Sequence, residues 1–281
     1  MSILIRSLLE TDYKNAEQIL TSAFQRPGSW RTDLELIHRL QPDGLFLAEY
    51  NGVPAGMVTV VIYPGFAYVG MMAVHESNQH QGIGLALMEN LLSWLEKKQV
   101  TAVKLDARPS GQHLYEKLGF IAQGSVAVYL CEQVQTVFPP GADVLPLSSN
   151  LLDTLTVLDT KVFGTSRGVV LANLLAAHPE RAFFLTEKDG IKGYIFAQNS
   201  RIGPWVAMDD AVAEVLLQAV LSLPFPGPIT ATVPEENLST PTLLEKYCFR
   251  LSRLNVHMIR GPFTAMGQRN LVYGQASLSL G

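Results

Sequence analysis

Three short stretches of this 281-residue chain recur in the same order. FLAEYNGVPAG (46–56) returns as FLTEKDGIKG (184–193), VGMMAV (69–74) as IGPWVA (202–207), and SGQHLYEKLGF (110–120) as STPTLLEKYCF (239–249). The offsets fall steadily, from 138 to 133 to 129 residues, so the second copy has lost residues between matching elements. Any one of these pairings recurs by chance, but three in one order indicate a duplicated unit. The chain therefore has to fold as two similar domains of ordinary size, not as one large core. The Pro- and Gly-rich segment VFPPGADVLPL (137–147) reads as the linker. It would separate a first domain over 1–136 from a second over 148–281.

Within the first copy the periodicity switches repeatedly. Residues 3–6 read as a strand, and Thr11 and Asp12 are placed to cap a helix running to about Phe24. A second helix covers Trp30 to Leu40. LFLAEY (45–50), the turn Asn51-Gly52, MVTVVIY (57–63) and AYVGMMAV (67–74) give three strands. Residues 82–99 form an amphipathic helix, apolar at 83, 87, 91, 92 and 95. A strand (101–107), a helix (111–118) and a strand (120–130) complete the copy. The predicted class is α/β, a mixed sheet with helices, present twice in tandem.

From Tyr50 to His75 there is no Asp, Glu, Lys or Arg, a length that could span a bilayer. Pro54, Gly56, Pro64, Gly65 and Gly70 interrupt it, so two buried strands joined by a Pro64-Gly65 turn fit better. The N-terminus lacks the long apolar core of a signal peptide. With a net charge of −4, nothing points to the basic face that nucleic acid or anionic lipid needs, though an acidic average still allows a local basic patch around an anionic cofactor. The two cysteines, Cys131 and Cys248, are far apart and no Cys/His cluster has zinc spacing, so no metal is expected. A cytoplasmic setting without a membrane or nucleic-acid partner follows, and a homodimer is allowed.

The segment that carries chemistry is VHESNQHQGIG (74–84), where a strand passes into a helix through Gln79-x-x-Gly82-x-Gly84. Glycines there permit a sharp turn and close approach of a ligand. The unpaired N–H groups of the helix's first turn, reinforced by its dipole, form a site for phosphate or pyrophosphate. An ordinary strand-to-helix connection packed with small residues explains the same letters. Neither the dinucleotide fingerprint nor the P-loop fits, because the spacing differs and no Lys-Ser/Thr follows. Tyr115, before Glu116 and Lys117 on the later helix, is by itself either a core aromatic or a functional phenol.

Taken together, Gln79-x-x-Gly82-x-Gly84 after one strand and LYEKLGF (114–120) after the next resemble the GNAT family of N-acetyltransferases over nearly all of the first half. The resemblance implies acetyl-CoA as co-substrate. Its pyrophosphate would rest on the loop Gln79, His80, Gln81, Gly82, Ile83 and Gly84, chiefly on backbone amides from Gln81 to Gly84. Backbone N–H groups of Met72, Ala73 and Val74 would bind the thioester carbonyl and its oxyanion. Tyr115 matches the family's general acid, facing the leaving thiolate. The base is open among Glu49, His75, Glu76, Asp106 or a water chain. Many members carry an Asn after the fifth strand, where this chain reads LDARPSGQHLYEKLGF (105–120).

That wording and the second half resemble a bacterial two-domain subgroup with a YitH-like second domain. The resemblance includes LDTKVFGTSR (158–167), with Asp159, Phe163 and Arg167, and YGQASLSLG (273–281). Arg167 is either a fork for a substrate carboxylate or one half of a structural pair with Asp159. The second copy has Leu244 in place of Tyr115, and Ala211 and Ala213 in place of the glycines. Asp209 and Asp210 would cap its helix and repel a pyrophosphate, so no CoA is expected there. Trp205 reads as core. The leading reading is an acetyltransferase acting on a small-molecule amine, with the second domain closing one wall of the acceptor pocket. The alternative is a CoA-sensing binding protein without turnover.

Overall fold

A computed structural model of the chain describes residues 2–25, 29–134, 143–188, 190–262 and 267–281. Its contacts divide the chain into two units. The first holds residues 1–122, 258–263 and 280, and the second holds 123–257, 264–279 and 281.

In the first unit, β1 (Ile3–Ser7), β2 (Leu45–Tyr50), β3 (Val53–Tyr63) and β4 (Phe66–Val74) pair antiparallel in that order. β5 (Val103–Ala107) adds parallel to β4. Helices α1 (Tyr13–Phe24) and α2 (Arg31–Leu40) lie between β1 and β2, α3 (Ile83–Lys97) between β4 and β5, and α4 (Gln112–Lys117) after β5. Asn51 and Gly52, at φ 51° and 81°, make the left-handed pair that a two-residue hairpin needs.

α3 buries the apolar stripe read from the sequence, Ile83, Leu87, Leu91, Leu92 and Leu95. Full burial contributes roughly 1.5–3 kcal/mol for each such side chain. The sheet lets the helix come close through a glycine. A Cβ on Gly56 would lie 3.0 Å from both Ile83 Cγ2 and Leu87 Cδ1. Asp12 differs from its expected role. It stands at the N-cap of α1 but makes no side-chain cap bond. Its carboxylate instead takes both prongs of Arg6, at 2.6 and 2.9 Å, and the Leu9 N–H at 2.9 Å. Two charge-assisted bonds to a guanidinium outweigh one bond to a helix amide.

The second unit repeats the order. β7 (Val144–Pro146) precedes α5 (Leu152–Phe163) and α6 (Gly168–Ala177). β8 (Ala182–Glu187), β9 (Gly190–Ala197) and β10 (Arg201–Ala207) follow, then α7 (Asp210–Leu221), β11 (Ile229–Pro234) and α8 (Thr240–Lys246). A short strand, β13 (Val272–Gly274), pairs with β10. The close approach under α7 is also repeated: a Cβ on Gly193 would lie 2.8 Å from Val212 Cγ1 and 2.9 Å from Leu216 Cδ1. Of the segment read as a linker, 137–142 lie outside the described residues, and Val144–Pro146 are strand, pairing with β8.

The units do not follow the halves of the sequence. β6 (Ile121–Cys131), the strand after α4, pairs antiparallel with β11 from Val126 to Cys131. The far end of β12 (Arg250–Arg260) belongs to the first unit, where Arg260 Nε donates to the Leu118 carbonyl at 3.0 Å. Each unit thus contains a strand end from the other half of the chain.

Candidate active site

The site begins with a defect in β4. Met57 pairs with Ala73 and Thr59 with Gly70, so Val58 alone stands opposite Met71 and Met72. The extra residue is a β-bulge, and Met71 adopts the left-handed φ of 45° that it requires. The parallel ladder to β5 stops at the same place. Ala67, Tyr68 and Val69 pair with Val103, Lys104 and Leu105, and no later β4 residue pairs with β5 among the described residues. Two strands that leave each other at a bulge form a V with main-chain groups along its inner edge.

Beyond Val74 the chain makes a 3-10 turn, Glu76–Asn78, and reaches Gly82, the N-cap of α3, at φ 79°. No side chain caps this helix, so the first-turn amides have no side-chain acceptor among the described residues. A Cβ on Gly82 would meet nothing within 4 Å, so the loop opens to solvent. Gly84 is tight instead, since a Cβ there would lie 2.8 Å from Met72 Cε and 3.4 Å from Leu114 Cδ2. The loop start, the bulge and α4 are thus held together by one missing side chain. Gln79 Nε2 donates to the Val74 carbonyl at 3.3 Å, and His80 takes the left-handed φ of 62°. Gln81 accepts a long bond from Tyr50 OH, 3.5 Å.

Tyr115 lies on α4 with its ring edge-on to Phe120, centroids 5.8 Å apart. It is 8% exposed, and burial holds its phenol well above the usual tyrosine range. Of the four candidate bases, Glu49 is bonded to Arg6 Nε at 2.8 Å. His75 Nδ1 faces Ser77 Oγ at 2.9 Å, and the Glu76 N–H donates to Ser22 Oγ at 3.1 Å. Asp106 Oδ2 accepts from Tyr68 OH at 2.7 Å, across the foot of the V.

The second unit closes the same opening with its own chain. Among the described residues β10 and β11 pair at Arg201–Thr230 and Ile202–Ala231 and no further. There β10 bulges, and β13 enters, pairing Trp205 with Gly274 and Val206 with Val272. The Gln275 N–H then reaches the Thr232 carbonyl of β11 at 2.7 Å. At the start of α7, Asp209 Oδ1 accepts the Val212 N–H at 2.9 Å. Asp210 does not cap; it accepts from Ser239 Oγ and Tyr273 OH, each at 2.5 Å. Leu244, opposite number of Tyr115, is fully buried, as is Trp205.

Asp159 and Arg167 are both buried, at 0% and 2% exposure. Arg167 Nε and Nη2 donate to Asp159 Oδ1 at 3.1 and 2.9 Å, and Nη1 to the Gly281 carbonyl at 2.9 Å. Tyr194 OH donates to the same carboxylate, and the guanidinium lies 4.0 Å from the Phe163 ring centroid. The fork that a substrate carboxylate would need is already filled by Asp159.

Residues 5–120 match the Acetyltransferase (GNAT) family, and residues 155–274 match the Acetyltransferase (GNAT) domain. The chain belongs to the GNAT acetyltransferase family, with two of its domains in tandem, and is by class an N-acetyltransferase. It is similar to the uncharacterized N-acetyltransferase YitH of Bacillus subtilis (strain 168), at 25% identity over 198 residues, 68% of this chain and 69% of that protein. A crystal structure from Pyrococcus horikoshii, assigned to the acetyltransferases, superposes with a TM-score of 0.86 at 25% identity, over 99% of this chain and 96% of that one. A GCN5-related N-acetyltransferase from Sphaerobacter thermophilus shares the fold, with a TM-score of 0.73 at 15% identity over 94% and 97% of the two chains. Among the described residues no helix is long and apolar enough to cross a membrane, and no cluster of three or more His, Cys, Asp or Glu could hold a metal ion.

Sequence reasoning named the loop and Tyr115 but missed the bulge at Met71 and the open ladder, because a bulge has no fixed residue signature. It also passed over Arg108, whose only signal was a cation immediately after a strand end.

Proposed function

We propose that the first unit transfers the acetyl group of acetyl-CoA to the primary amine of a small molecule by direct attack. The observation that carries this reading is the coincidence of three features: the bulge at Met71, the open edge of β4, and the uncapped start of α3. Backbone amides from Gln81 to Gly84, with Gln79 and His80 shaping the loop, are our candidates for the pyrophosphate. N–H groups of Met72, Ala73 and Val74 are our candidates to bind the thioester oxygen as it gains charge; the next N–H, of His75, reaches the Ala55 carbonyl of β3, so strand alternation turns that of Val74 to the open edge. The amine nitrogen forms the new C–N bond as the C–S bond breaks. The amine's surplus proton leaves to a base or water, and the departing sulfur takes a proton from Tyr115, which solvent restores. Asp106, held by Tyr68 at the foot of the V, is the candidate base best placed for that proton.

In the second unit, we infer, β13 occupies the place of the acyl-carrying arm and Asp209 the place of the phosphates, so acetyl-CoA binds once per chain. We read Asp159, Phe163 and Arg167 as a structural cluster and not as an acceptor site. A cytoplasmic enzyme, working alone or as a homodimer, is the form we propose.

Calorimetry with acetyl-CoA on the wild type and on Gly82→Glu is the test. One site in the wild type and none in the variant are expected, followed by thiol release when an amine is added. Unimpaired binding by the variant would remove the loop from the site. Binding without thiol release across a broad amine panel would leave a CoA-sensing protein instead.

A further inference from the structure

Side chains on β4 and β5 sort by face. Gly56 pairs with Val74 and packs against α3, so Val74 faces α3, and so does Met72, which touches Gly84. Tyr68, Asp106 and the next residue in phase, Arg108, face the other way, towards α1. Arg108 lies three residues beyond Leu105, the last paired residue of β5. Met72 lies three residues beyond Val69, the last paired residue of β4. One of the three β4 steps is the extra residue of the bulge, so Met72 stands about one ladder step short of Arg108, and the two lie on opposite arms of the V.

Among the described residues Arg108 is a guanidinium without a neutralising charge. Its Nη2 donates to the Phe24 carbonyl at 3.2 Å, and its plane lies over the Phe24 ring, 4.7 Å from the centroid. The Phe24 ring in turn meets Trp30, centroids 5.5 Å apart. Arg108 forms no ion pair among the described residues, and its Nε and Nη1 have no partner there. Half-burial lowers its pKa, a sign that the charge is poorly solvated where it stands. The neighbouring carboxylate, Asp106, is turned to Tyr68. A stacked guanidinium, held by one bond and with its remaining donors open among the described residues, is a fork ready for a planar anion.

We propose that Arg108 binds a carboxylate of the acceptor, so that the preferred acceptors are amines bearing a carboxylate, amino acids foremost. This rests on the acetyltransferase reading of the same opening. An anion on Arg108 lies on the α1 side of the V, while the loop assigned to acetyl-CoA lies on the α3 side. The acceptor thus enters opposite the co-substrate, with its amine towards the foot of the V and Asp106.

The test uses the full chain and matched acceptors: the standard amino acids, their carboxamides, and the amines lacking the carboxylate. The wild type should favour the carboxylate member of a pair, and Arg108→Gln should lower kcat/KM for it by about 10- to 100-fold, through KM. The variant should leave the KM for acetyl-CoA and the turnover of neutral amines unchanged, and Arg108→Lys should restore part of the loss. Equal turnover of charged and neutral acceptors by the wild type overturns the proposal. So does an equal loss on all acceptors in Arg108→Gln, which marks a merely structural contact with α1. Calorimetry of the same amino acids reads Arg108 without turnover. Binding that depends on Arg108 without acetylation overturns the acceptor role and leaves a carboxylate site alone, while the acetyltransferase reading itself stands or falls on the broad amine panel; no binding and no turnover of these acids overturns this proposal whatever that panel shows.

Discussion

Tyr115 is a buried phenol whose ring meets Phe120, and the phenolate form is the one that burial penalises. It therefore holds its proton across the working range, as the donor we propose for the leaving sulfur must. Tyr115→Phe should lower kcat about a hundredfold while the KM for acetyl-CoA stays within about twofold, as read by steady-state kinetics. Any fall in rate between about pH 8 and 10 should persist in that variant, because a raised pKa keeps Tyr115 protonated there. Asp12 behaves oppositely. Arg6 holds its carboxyl below the usual range, so the bond stabilises the fold above that range and is lost as pH falls through the lowered pKa. Asp12→Asn should be less stable than the wild type at pH 7, and denaturant melts should converge as the pH drops below about 4. At this scale the sequence is legible where type and spacing suffice, as with the left-handed turn at Gly82 and the helix that carries Tyr115. It is silent where partners are distant: nothing near Asp159 or Arg167 announces Tyr194 or Gly281.

Elements were legible in proportion to how local their causes are. The stripe on α3 fixes both its buried face and its length, and the hairpin at Asn51-Gly52 is set by two residues that tolerate left-handed backbone. Bulges and ladder ends depend on what the neighbouring strand does, so the opening beside β4 appears only in the fold. Gly56 links the two levels. With Ile83 and Leu87 each 3.0 Å from its absent Cβ, and the Ala73 carbonyl 3.1 Å away, a side chain there forces these neighbours to give way and strains the seat of α3 on the sheet. Gly56→Val should cost about 1–3 kcal/mol in urea unfolding and also weaken acetyl-CoA, because the same helix carries the loop. Gly193→Val should cost a similar amount in the second unit and leave acetyl-CoA affinity untouched. An unchanged melt for either variant would contradict the packing described here.

For the whole molecule, the tandem arrangement was visible in three short repeats, but the strand exchange was not. Which strand lies beside which is a matter of long-range pairing, and β6 and β12 have the same length and character in either arrangement. The exchange predicts that a chain cut within 137–142 yields two incomplete products. Residues 1–136 expressed alone should be poorly folded by circular dichroism and heat denaturation. Mixing with the remainder during refolding should restore one cooperative transition and acetyl-CoA binding. A stable, binding-competent 1–136 fragment would show that the borrowed strand end is dispensable.

The exchange also sets a schedule for synthesis. The first unit's own residues are out of the ribosome once position 122 has emerged, yet the strand end that completes its sheet begins at 258. At roughly 5–20 residues per second, the nascent first half waits on the order of ten seconds with the β5 edge bare. An unpaired edge of that kind invites pairing with a neighbouring nascent chain. Crowded polysomes are thus where this protein is most exposed to misassembly. Slowing translation over the second half should raise the yield of aggregates, and slowing it before position 122 should not.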